Sequence, residues 1–118
     1  MRVNSNNAVL DLLSDLVKFE SVTPDRSECQ KYIANYLSGL DFKTEYIKYG
    51  DVSNMISTFG AGSPCLVFVG HTDVVPPGDL SQWKYNPYRL SQHEGMLIGR
   101  GTADMKGCLL YTSPSPRD

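Results

Sequence analysis

The run Cys65-Leu66-Val67-Phe68-Val69, with Ser63-Pro64 before it and Gly70 after it, restricts the fold more than any other segment of the chain. It presents no polar face, so the pattern predicts a short strand buried on both sides rather than one with a wet face. A strand of that kind needs neighbouring strands beside it and helices over it. The chain is therefore expected to be α/β, with helices covering a mixed sheet. Within that strand Cys65 reads as core, because a buried thiol far from cations is inert.

The segments upstream supply the helices. Val9, Leu12, Leu13, Leu16 and Val17 recur at three-and-four spacing and predict a first helix over about residues 6 to 19, capped from within Asn4 to Asn7. Thr23-Pro24 reads as an N-cap followed by proline at the first helical position. The second helix carries the stripe Cys29, Tyr32, Ile33, Tyr36, Leu37 and Leu40, with Gly39 as the left-handed residue that ends it. Residues 42–48 and 53–59 then alternate as two strands around a Gly50-Asp51 turn. Residues 70–107 are rich in glycine and proline, the composition of long ordered loops where function tends to sit.

Composition sets outer limits. Among 118 residues 41% are hydrophobic, which excludes wholesale disorder and suits one domain. No apolar stretch approaches the roughly 18 residues of a membrane span, so no membrane partner is expected. Eleven Lys plus Arg against 13 Asp plus Glu give a net charge of -2, and no basic field exists to attract nucleic acid. Met1 to Asn7 lacks the layout of a secretory signal, and Cys29, Cys65 and Cys108 form no C-x-x-C pair. Reduced thiols in the cytoplasm are expected, two of them serving as small core hydrophobes.

Two short motifs carry chemistry. His71 follows the apolar run and Asp73 stands two residues on, so in an extended segment the imidazole and carboxylate share one side. That arrangement suits a metal-bound histidine oriented by a carboxylate, beyond the carboxyl end of a strand. The second motif, Gly99-Arg100-Gly101-Thr102-Ala103-Asp104-Met105-Lys106-Gly107, brackets one aspartate with glycines that permit close backbone approach. Alone, H-x-D reads equally as a solvated loop, and G-x-x-D-x-x-G as a surface turn before a helix N-cap.

Together, His71-Thr72-Asp73-Val74-Val75-Pro76-Pro77-Gly78-Asp79, Trp83, Pro87 and the Gly99 to Gly107 segment resemble the aminoacylase and carboxypeptidase-like family of two-zinc amidohydrolases. Ser21-Val22-Thr23-Pro24 and Cys29-Gln30 extend the likeness nearly along the whole chain to Gly107. The resemblance implies the opening portion of a zinc-peptidase-like catalytic domain, truncated, over residues 1–107. It implies His71 as a ligand of one zinc, Asp104 as the carboxylate bridging two, and Asp73 as the catalytic partner that supports the histidine. It also implies two zinc ions, with cobalt able to replace one, acting as Lewis acids on an amide. A small N-acyl amino-acid substrate and a homodimer formed through a separate smaller domain complete the expectation. The peptide bond after the bridging aspartate is expected to be cis.

Several parts of that family's machinery have no counterpart here. A glutamate pair supplying the general base and a ligand, another acidic ligand and a late histidine are required. The glutamates are Glu20, Glu28, Glu45 and Glu94, none adjacent to another, and the other histidine, His93, sits in a polar segment expected to be an exposed loop. Trp83 and Tyr88 are expected to pack a loop rather than stack on substrate. Residues 108–118 read as a non-native, adapter-derived tail in which Pro114 and Pro116 forbid the helix that relatives continue into. Two alternatives stay open: another deacylase or a dipeptidase of the same family, and a non-catalytic metal-binding or interaction module ending near residue 118.

Overall fold

In the computed structural model, residues 5–24 and 28–111 are described. The first helix, α1, spans Ser5–Lys18. Its stripe turns inward as the spacing requires: Leu13, Leu16 and Val17 are buried, whereas Val9, at the outer end, is exposed. Asn4, one of the expected caps, lies outside the described residues.

Helix α2 spans Glu28–Ser38 and buries Cys29. Thr23-Pro24 does not open it: residues 25–27 lie outside the described residues, and the Thr23 hydroxyl donates to Asp73 instead. The Phe19 and Tyr32 rings sit 5.6 Å apart between the two helices, and the Tyr32 phenol donates to Asp15 of α1 at 2.8 Å. Past the end of α2 the left-handed residue is Asp41, at φ 64°, and not Gly39. The Phe42 amide reaches back to the Leu37 carbonyl at 3.1 Å, which places the reversal two residues later than predicted; aspartate is among the few residues that tolerate it.

Strands β1, Lys43–Tyr49, and β2, Val52–Thr58, form the expected antiparallel hairpin, in register from Lys43 opposite Thr58 to Tyr49 opposite Val52. The Gln30 amide of α2 donates to the Ser53 carbonyl at 2.8 Å, docking helix on hairpin. A second, shorter hairpin joins β3, Ser91–His93, to β4, Met96–Ile98. His93 therefore ends a strand, half-buried 5.9 Å from the Tyr85 ring, rather than lying in an exposed loop. A single parallel bridge pairs Val22 with Val74. The chain is α/β, but the bridge is isolated and both hairpins are antiparallel, so among the described residues the expected mixed sheet does not form.

The apolar run departs from expectation. Residues 65–69 form no strand, and Leu66, Val67, Phe68 and Val69 are 74, 70, 58 and 88% exposed. Cys65 is exposed rather than core. An interior strand is made by its neighbours, and among the described residues no strand lies alongside this one. The buried apolar set is correspondingly small: Leu13, Leu16, Val17, Cys29 and Val74, joined by Ser21 and Lys106.

The last elements carry the second motif. Thr102–Lys106 forms one wide turn, interrupted at Asp104 and Met105, where φ is -131° and -134°. It runs into α3, Gly107–Tyr111. A helix thus begins where Pro114 and Pro116 were expected to prevent one; both prolines lie outside the described residues.

Candidate metal centre

His71 stands where the exposed apolar run meets the Val74 bridge. Gly70 before it lets the last elements close over the backbone, because a Cβ there would collide with the Leu109 side chain and approach the Met105 methyl at 3.2 Å. The His71 amide lies 3.3 Å from the Met105 sulfur. This packing lays the wide turn, and Asp104 with it, across the histidine. The expected pair forms: His71 Nε2 is 2.9 Å from Asp104 Oδ1, across 33 residues of sequence. On the other side of the ring, Nδ1 is 3.0 Å from the Asp73 carbonyl oxygen and 3.4 Å from its carboxylate. The Asp104–Met105 peptide is cis, as the resemblance implied.

Asp73 is itself held. Thr23 Oγ1 donates to its Oδ2 at 2.7 Å, Ser21 Oγ to the Thr72 carbonyl at 2.7 Å, and the Val74 amide to the Ser21 carbonyl at 2.8 Å. The Ser21 to Thr23 segment therefore acts as a splint along Thr72 to Val74. Sequence reasoning took Thr23 for a helix cap; the hydroxyl at that position is common to both roles, and only the fold distinguishes them.

Lys106 was also missed. It is wholly buried, and its Nζ donates to the carbonyls of Leu16 at 2.9 Å and Phe19 at 2.8 Å, at the C-terminal end of α1. Its amide closes the wide turn onto the Gly101 carbonyl at 2.7 Å. Gly101 has φ 82°, and a Cβ there would lie 2.7 Å from Val74 Cγ1 and 3.3 Å from Lys106 Cδ. Only glycine meets both the backbone and the space requirement.

Burial is the largest influence on His71 and lowers its pKa. Hydrogen bonding to the Asp73 carbonyl and the Asp104 carboxylate, with the charges of both residues, outweighs it, and the pKa lies above the ordinary histidine value. His71, Asp73, Arg100, Thr102 and Asp104 line a shallow cleft of about 210 Å³. A larger groove of about 470 Å³ between α2 and β1 has Lys31, Asn35, Phe42 and Tyr46 among its walls, but no histidine, cysteine or carboxylate. On the cleft's flank, Trp83 Nε1 donates to the Pro77 carbonyl at 2.8 Å and the Arg100 guanidinium stacks 5.0 Å above the indole. Both Trp83 and Tyr88 pack the loops, and burial raises the Tyr88 pKa.

Residues 67–112 match the model of peptidase family M20/M25/M40. Over those residues the chain is similar to that family. Succinyl-diaminopimelate desuccinylase of Legionella pneumophila (strain Lens) is 46% identical over 106 residues, covering 87% of this chain and 28% of the relative. The protein of the same name from Xylella fastidiosa (strain M12) is 50% identical over 99 residues, covering 84% and 26%. Human carnosine dipeptidase 1 shares the fold, with TM-score 0.75 at 23% identity over 88% of this chain and 26% of the other. The chain thus spans little more than a quarter of the curated relatives it matches. The M20/M25/M40 match includes His71, Asp73, Asp104 and Lys106, so both motifs fall inside it. Enzymes of this family are metal-dependent hydrolases.

An imidazole nitrogen and a carboxylate oxygen that converge within hydrogen-bonding distance are the donor types zinc prefers. His71 and Asp104 fit as part of such a site. They are two donors of the three or more each metal takes, and among the described residues no group of three His, Cys, Asp or Glu is arranged to hold one. His71 and Asp104 were singled out by the two motifs taken together and by the resemblance they carry; alone, each motif reads equally as a loop or a turn.

Proposed function

We propose that the chain is the amino-terminal part of a metal-dependent amidohydrolase that hydrolyses N-succinyl-LL-2,6-diaminopimelate to succinate and LL-2,6-diaminopimelate. The convergence of His71 Nε2 and Asp104 Oδ1 at 2.9 Å carries this reading, because two motifs far apart in sequence meet as a nitrogen-oxygen donor pair. The 46 to 50% identity to desuccinylases over most of the chain favours that substrate over those of other deacylases or dipeptidases.

His71 and Asp104 would hold the metal, with Asp104 shared between two zinc ions or a zinc and a cobalt. Bound there, the metal supplies Lewis acidity toward the amide carbonyl and the attacking water. Asp73 is the catalytic partner: its carbonyl and carboxylate face Nδ1, leaving Nε2 directed at the site and raising the basicity of the ring. Thr23 fixes Asp73 in turn. The general base and the remaining ligands belong to sequence beyond this chain, because its glutamates are isolated. A cytoplasmic homodimer is the form we assign to the complete enzyme. Residues 108–118 are read as adapter-derived. The family match continues to residue 112, and the nucleotides after the Gly107 codon decide between adapter and gene.

The test is the complete reading frame, expressed and assayed for release of succinate with its metal content measured. Activity that is lost on chelation and restored by zinc or cobalt is expected. His71→Ala or Asp104→Ala should abolish both metal uptake and hydrolysis, whereas Asp73→Ala should retain metal and lower turnover by about 10- to 100-fold. Equal loss of metal in all three variants refutes the separate roles, and stoichiometric metal on the 118-residue chain alone favours the binding-module alternative.

A further inference from the structure

Lys106 contributes nothing to the cleft yet is wholly buried, with its ammonium on the Leu16 and Phe19 carbonyls. Burying an ammonium is costly unless the charge is met by strong acceptors. The end of α1 offers such acceptors, since the last carbonyls of a helix lack partners within it and carry the negative end of its dipole. The lysine stem is placed as specifically as its head. It lies where Gly101 has no Cβ, and Gly101 in turn abuts Val74, the residue after Asp73. One side chain therefore links three things: the end of α1, the turn that bears Asp104, and the bridge residue Val74 beside the His71-Asp73 motif.

We propose that Lys106 is a positioning residue that clamps the Asp104 turn against the His71 segment and so sets the spacing of the donor pair. The inference rests on the metal reading above. Removal of the charge frees the turn from α1 while leaving the ligands chemically intact. The loss should therefore appear in metal affinity out of proportion to the loss in folding.

The experiment uses the complete protein and titrates it with cobalt(II), following the visible absorption of the bound ion, with thermal melting of the metal-free form alongside. Lys106→Met keeps the length of the stem and removes the charge; it should bind cobalt at least about tenfold more weakly. Lys106→Arg keeps a cationic donor and should remain within about threefold of the parent, which keeps the question open to test if the methionine variant fails to fold. Leu13→Ala, on the buried face of α1 but outside the clamp, is the control for general destabilisation: it should lower the melting temperature with cobalt affinity retained. Parent-like affinity in Lys106→Met overturns the proposal. So does a folded Lys106→Arg as impaired as the methionine variant, or a Leu13→Ala loss of equal size. A parent protein that takes up no cobalt overturns the metal reading itself.

Discussion

At the scale of single residues, the contrast between His71 and Lys106 separates what a sequence discloses from what it withholds. His71, Asp73 and Asp104 are legible because the resemblance rests on particular side chains at particular spacings, whatever surrounds them. Lys106 is not: a lysine between methionine and glycine is ordinarily solvated, and its burial follows from where α1 ends, 87 to 90 residues earlier. The Asp15–Tyr32 pair is hidden for the same reason, since neither helix predicts which residue of the other it will face. Hydrogen bonding to Asp15, then burial, raises the Tyr32 phenol from 10.0 to about 12. Asp15 is lowered, first by its hydrogen bond from Lys18 and then by that from Tyr32. The signs differ. Tyr32 contributes stability that is complete below pH 10 and disappears as pH rises toward 12. Asp15 contributes stability present above its ordinary pKa of 3.8 and lost as pH falls through the lowered value. Ultraviolet titration should show a phenol ionising at about 12 that is absent in Tyr32→Phe; a variant whose titration keeps that late step would contradict the pairing.

At the scale of elements, the first helix, the end of the second and the first hairpin were readable within a residue or two because each is specified locally, by period and turn chemistry. The run at 65–69 was read correctly for its apolar character and wrongly for its surroundings. A two-sided strand is a demand placed on other elements, and the sequence states the demand without showing whether it is met. Four large side chains at 58 to 88% exposure are that unmet demand. Burial of a valine side chain is worth roughly 1.5 to 3 kcal/mol, so elements that covered these residues would gain substantially. Val69→Lys should therefore have opposite effects in two settings. On the 118-residue chain it should improve solubility, because it breaks an aggregation-prone apolar patch. In the complete protein it should destabilise by several kcal/mol, measured by denaturant unfolding, since an unpaired ammonium would replace a core side chain. Destabilisation absent from the complete protein would show that the run remains exposed there.

At the scale of the molecule, a radius of gyration of 15.7 Å exceeds the roughly 13.5 Å of a compact domain of 118 residues. The excess agrees with the exposed run and with a core of five buried apolar residues among those described. The chain alone should accordingly associate and melt without a sharp cooperative transition, as followed by light scattering and calorimetry; a monomer with a sharp melt would contradict this. Length and composition were consistent with a whole domain, but the number of side chains left uncovered is a property of the fold, and only the coordinates reveal it.

The clamp on α1 also orders events in time. The contact between Lys106 and Leu16 spans 90 residues, and closing a loop of that size costs on the order of 4 kcal/mol in chain entropy. During synthesis at about 5 to 20 residues per second, α1 would leave the ribosome roughly 5 to 18 s before the lysine that caps it. For that interval its apolar stripe and terminal carbonyls have no tertiary partner from the Asp104 turn. Among the contacts within residues 5–111 the donor pair is thus a late one, and a ribosome stalled before residue 106 would carry α1 without its clamp.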